Sequence, residues 1–100
     1  MNTANIEIQM DAVVEICRRY SVSELSLFGS ILRGDFRRDS DVDILVAFKP
    51  DAEIGFLEYS RMQRELSTAF GRKADLVSKT GLKAVIRDDV IASSSVIYAE

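Results

Sequence analysis

Histidine is missing from the 100 residues, and cysteine occurs once, at Cys17. Without histidine the chain has no Ser-His-Asp or Cys-His catalysis, no histidine general base and no His-ligated zinc of its own. A single cysteine closes no intrachain disulfide, which fits a reducing cytoplasm. Long apolar runs are lacking too. The stretch from Ile44 to Phe48 is far too short to span a bilayer, and no signal peptide is evident. Neither sign of charge dominates: a net −3 points away from stable nucleic-acid binding and from membrane surfaces. Carboxylates remain as the main chemical tools, and carboxylates suit magnesium.

The length corresponds to one domain, residues 1–100, and 47% hydrophobic residues are enough for a core. Met10, Val13, Val14 and Cys17 recur at helical spacing, so residues 4–20 are expected to form a helix, capped by Thr3 or Asn5. Residues 24–28 read as a short strand, and residues 29–40 as a helical turn followed by a polar loop. The strongest strand signal is at 41–48, ended by Lys49-Pro50-Asp51. Tyr59, Met62, Leu66, Ala69 and Phe70 mark one face of a helix over 55–70, with Gly71 placed for a left-handed C-terminus. A third strand is expected at 74–77, and a last helix carries Leu82, Val85, Ile86 and Val90. Residues 96–98 fit either an edge strand or the end of that helix. The fold expected is a small α/β (α+β) domain, with a short mixed sheet of three to four strands and about four flanking helices.

The chemistry concentrates in residues 27–46, Leu-Phe-Gly-Ser-Ile-Leu-Arg-Gly-Asp-Phe-Arg-Arg-Asp-Ser-Asp-Val-Asp-Ile-Leu-Val. Asp41 and Asp43, two apart on a strand, face the same side and can aim at a common point. A pair of metal ions held there would clamp the attacking and leaving oxygens of a phosphoryl transfer. The alternative is structural: Asp41 capping a turn and Asp43 paired with an arginine. Gly29 and Ser30 follow a strand and open a turn, where backbone N–H groups and a hydroxyl can hold phosphate. Arg33 can reach the phosphates or brace the loop, and Ser40 shapes the entry to the second strand. Asp75 is a lone acid in a short apolar strand, either a third carboxylate for the site or a partner of Lys73 or Arg72.

Taken together, Gly29-Ser30, Arg33-Gly34 and Ser40-Asp41-Val42-Asp43, with the later Gly71-Arg72-Lys73-Ala74-Asp75-Leu76-Val77, resemble the minimal nucleotidyltransferases of the polymerase-β-like superfamily. In particular they resemble the small antitoxins paired with HEPN-domain ribonuclease toxins. The resemblance implies Mg²⁺, as two ions, on Asp41, Asp43 and Asp75, with Asp75 activating the acceptor. It also implies ATP as co-substrate, held by Gly29, Ser30, Arg33 and Ser40. The implied activity is transfer of AMP to a tyrosine hydroxyl of a HEPN-type toxin within a toxin–antitoxin hetero-oligomer. Ile31-Leu32 and Asp35 depart from the residues usual at those places, which bears on nucleotide choice. Two other readings stay open: an antitoxin that silences its toxin by binding alone, and a nucleotidyltransferase for a small-molecule or RNA acceptor.

Overall fold

The computed structural model describes residues 2–3, 6–7, 9–29, 41–82 and 84–100. Two short strands, β1 (Asn2–Thr3) and β2 (Ile6–Glu7), pair antiparallel ahead of helix α1 (Met10–Arg19). The expected helix thus starts six residues late, and Gln9, not Thr3 or Asn5, stands at its N-cap. Thr3 belongs to β1, and Asn5 lies outside the described residues. Ile6 fits a strand count as well as a helical one, and its pairing with Thr3 in β1 decides for the strand. From Met10 onward the 3.6-residue period takes over and buries Val13, Ile16 and Cys17, while Arg18 and Arg19 complement the helix dipole at the last turn.

Strand β3 (Val22–Phe28) begins two residues before the expected start, because Ser21 turns the chain in a left-handed conformation (φ 58°) directly after α1. It is followed by β4 (Val42–Phe48), α2 (Phe56–Phe70) and β5 (Ala74–Ser78). A 3₁₀ turn at Lys79–Gly81 leads to α3 (Ala84–Ser93) and β6 (Ser95–Ala99). The final segment is an edge strand, antiparallel to β3. The four-stranded sheet has the order β5-β4-β3-β6, with β4 and β5 parallel and the other pairs antiparallel. Three α-helices are found among the described residues; the helical turn expected within 29–40 falls mostly on residues outside them.

Alternation along the strands divides the sheet into two faces. Leu25, Leu27, Val42, Ile44, Val46, Ala74 and Leu76 join Val13, Ile16, Cys17, Met62, Leu66, Ala69 and Phe70 in one buried cluster. This face packs against α1 and α2, and the stripe expected on α2 is its core stripe. Tyr59 packs on the margin of the cluster, its ring 6.3 Å from that of Phe48. Cys17 is 1% exposed, and burial pushes its thiol up to about 12, as befits a packing residue. Ser26, Asp43, Leu45, Asp75 and Val77 belong to the reverse face. Among the described residues no helix is long and apolar enough to cross a membrane.

Candidate active site

Asp41 immediately precedes β4 and Asp43 is its second residue, and the register puts Asp43 beside Phe28 of β3 and beside Asp75 of β5. Residues in register on neighbouring strands lie about 5 Å apart and face the same side. Asp43 and Asp75 are therefore abreast on the reverse face, and Asp41 is one pleat before them. The three expected acids share one end of one sheet face.

Gly29 ends β3 with φ +80°, a left-handed conformation that side chains disfavour. A Cβ on Gly29 would lie 2.2 Å from Asp43 Oδ2 and 3.1 Å from its Cγ. The Asp43 carboxylate therefore rests directly against the Gly29 backbone, in space that any larger residue would take. This contact joins the two halves of the motif, which are fourteen residues apart in sequence.

Asp41 is exposed, and Lys73 Nζ lies 4.0 Å from its Oδ2. Both groups are well solvated, so this pair contributes about 0–1 kcal/mol and yields readily to a stronger cation. Lys73, one of the expected partners of Asp75, thus makes its ion pair with Asp41. Asp75 is exposed at the edge of the sheet, close enough to Tyr59 that its charge, after burial, helps to raise the phenol above its ordinary range. Ser30, Arg33 and Ser40 lie outside the described residues.

The donor set of three carboxylates suits magnesium, which binds through one or two carboxylates and keeps waters or substrate phosphates for its other positions. Among the described residues no three acidic side chains converge closely enough to hold a metal by themselves. A cavity of about 390 Å³ opens at the other end of the parallel pair, lined by Ala47, Phe48, Ser78, Lys79, Arg87 and Ile91. None of the three acids lines it.

Sequence reasoning placed Tyr59 on the core face of α2 and did not single out Gln63 and Ser67. Tyr59 Oη donates to the Leu76 carbonyl at 2.8 Å, Gln63 Oε1 accepts from Leu76 N–H at 3.1 Å, and Ser67 Oγ accepts from Ala74 N–H at 2.9 Å. Their spacing of four is the available signal. It marks a single polar stripe along a helix, beside the core stripe.

Residues 10–98 match the model of the nucleotidyltransferase domain family. The protein adenylyltransferase MntA of Thermococcus cleftensis is 38% identical over 77 residues, which cover 77% of this chain and 76% of that one. A solved structure assigned as a minimal nucleotidyltransferase superposes with a TM-score of 0.71 at 34% identity, covering 84% of each chain. A toxin–antitoxin complex with AMP-PNP contains a chain of the same fold, with a TM-score of 0.73 at 20% identity, covering 93% of this chain and 75% of that one. The fold also recurs, with a TM-score of 0.64 at 17% identity over 90% of this chain and 69% of the other, in a complex of a tri-AMPylated Shewanella oneidensis HEPN toxin with its MNT antitoxin.

Proposed function

The chain belongs to the nucleotidyltransferase domain family, an enzyme family, and we propose that it is the catalytic antitoxin of a toxin–antitoxin pair, moving AMP from ATP to a tyrosine hydroxyl of a HEPN-type ribonuclease toxin. The whole chain acts as one such domain in a reducing cytoplasm. The observation that carries this reading is the Asp43 carboxylate seated on the Gly29 backbone with Asp75 abreast of it. That arrangement gathers acids where an anionic ligand would need a cation, at the end of a strand whose other side is core. The protein adenylyltransferase relative supports a protein acceptor, and the toxin–antitoxin neighbours, one with an AMPylated HEPN toxin, support the partner.

In this reading Asp41 and Asp43 hold magnesium, as two ions, with Asp75 as the third carboxylate. Bound there, the ions supply positive charge to the phosphates and to the developing pyrophosphate. The missing Cβ of Gly29 leaves room for the Asp43 carboxylate, while the Gly29 backbone, with Ser30, Arg33 and Ser40, supplies the nucleotide contacts. Asp75 takes the proton of the acceptor hydroxyl. The freed oxygen forms a bond to the α-phosphorus as the bond from that phosphorus to the α–β bridging oxygen breaks, and pyrophosphate leaves.

A second reading is silencing of the toxin by binding alone. One experiment separates the two. The protein encoded beside this chain is incubated with it, ATP and Mg²⁺, and its intact mass is recorded. A gain of whole AMP units that vanishes with Asp43→Asn supports transfer. An unshifted partner that still co-purifies, and is still neutralised by the Asp41→Ala/Asp43→Ala chain, overturns it in favour of binding.

A further inference from the structure

β5 is an outer strand of the sheet, and among the described residues one of its two edges has no strand beside it. Its inner edge serves β4, as the bond from Val42 N–H to the Lys73 carbonyl at 2.9 Å shows. Residues 74 and 76 therefore turn their backbone groups outward, where an edge strand ordinarily meets water or another chain. Here they meet α2 instead. Ser67 takes the Ala74 N–H, Gln63 takes the Leu76 N–H, and Tyr59 donates to the Leu76 carbonyl. Ser67 Oγ in turn donates to the Gln63 carbonyl at 2.8 Å, so its lone pair is aimed at Ala74. Three side chains one helical turn apart replace the missing strand.

The bonds bracket one residue. Asp75 lies between Ala74 and Leu76, and every outward backbone group that these two residues direct to α2 flanks its Cα. Nothing comparable is needed for Asp43, whose strand is held by β3 on one side and β5 on the other. We propose that Tyr59, Gln63 and Ser67 are positioning residues for the Asp75 carboxylate, fixing the edge of the sheet so that it stays level with Asp43. This inference rests on the assignment of Asp75 to the site. It assigns to α2 a task beyond packing: the core stripe of the helix holds the sheet, and its polar stripe holds one residue of the site.

The test uses the full chain with Gln63→Leu and Ser67→Ala, and with Ser67→Thr as the variant that keeps the accepting oxygen. Gln63 and Ser67 are half-buried, so water can reach the released N–H groups and the fold survives their loss. Amide hydrogen exchange at residues 74 and 76 should quicken in Gln63→Leu and Ser67→Ala. Affinity for Mn²⁺ alone, read from the EPR signal of the free ion, should weaken about tenfold, in the range usual for residues that orient metal ligands. In AMP transfer, kcat should fall about ten- to a hundredfold while KM for ATP stays within about twofold. Ser67→Thr should restore both quantities.

Wild-type transfer and Mn²⁺ binding with unchanged variants overturn the inference alone. Equal losses in Ser67→Thr and Ser67→Ala also overturn it, because the accepting oxygen would then be irrelevant. A wild-type chain that neither binds Mn²⁺ nor transfers AMP overturns the proposed function itself, and the inference falls with it.

Discussion

Gly29→Ala separates the two things that a single glycine does here. Its φ of +80° is the first, since an L-residue in left-handed backbone costs about 1–2 kcal/mol. In a domain of this size that lowers the melting temperature by roughly 5–15 °C. The second is the collision: the new Cβ would sit 2.2 Å from Asp43 Oδ2, whereas ordinary contact begins near 3.4 Å. The carboxylate can rotate, but Cγ at 3.1 Å and Cβ at 3.3 Å are tight as well, so the whole side chain must retreat by about 1 Å. A displacement of that size at a reacting centre costs about a hundredfold in rate. Activity should therefore fall much further than stability. The assay is thermal melting and AMP transfer on Gly29→Ala, Asp43→Ala and the double variant. The alanine at 29 should cost less stability once Asp43 is truncated, with a coupling of about 0.5–3 kcal/mol. Additive melting shifts would show that the close approach is not real, and a fully active Gly29→Ala would show that Asp43 needs no fixed place.

Other expectations follow from single contacts. Asp43→Asn keeps the shape and loses a charge, so transfer should disappear while circular dichroism and melting stay close to wild type. Gly71 caps α2 at φ +72° with open space around it, and Arg72 N–H closes the helix end onto the Ser67 carbonyl at 3.2 Å. Gly71→Ala should cost about 1 kcal/mol with no effect on activity, and a denaturant melt measures it. Tyr59→Phe should cost about 1 kcal/mol by the same melt, because the Leu76 carbonyl loses its donor. Stability should also decline in alkali. Burial raises Cys17, Tyr20 and Tyr59, and a hydrogen bond to Glu100 raises Tyr98. Each group keeps its proton in the native state where the unfolded chain gives it up, so the stability it lends is present below about pH 9 and drains as pH climbs toward 12. Melts between pH 7 and pH 11 check this, and Cys17→Ala should flatten the early part of the decline.

Much of the fold could be read from periodicity, because the core consists of residues whose spacing matches their element. Val42, Ile44 and Val46 alternate, and Met62, Leu66 and Ala69 step round a helix; both patterns point inward as expected. The pairing of Gly29 with Asp43 was legible as a motif but not as a contact, since only the register of β3 on β4 brings the two together. The start of α1 was misjudged because Ile6 satisfies a helical count and a strand count equally, and only the partner Thr3 decides between them. The direction of β5 relative to β4 was equally hidden. Asp75 stands level with Asp43 because the pair is parallel, and spacing within either strand carries no information about that.

The polar stripe of α2 was hidden for a different reason. Gln63 and Ser67 are residue types that ordinarily mark a solvated helix face, and Tyr59 fits the core count. What makes them a substitute strand is the match between two rises. Four residues of helix advance about 6 Å and two residues of strand about 6.6 Å, so Ser67 and Gln63, on successive turns of α2, come level with Ala74 and Leu76, successive outward residues of β5. A helix laid along a strand edge can track it only while that near-coincidence lasts, for two or three turns. β5 is five residues long, and its bonds to α2 involve Ala74 and Leu76. Edge, helix and acid are thus held to one another within the length over which the two rises stay in step. An insertion of one residue in α2 between Tyr59 and Gln63 rotates the Tyr59 end by about 100° and should break its bond to Leu76 while sparing those of Gln63 and Ser67.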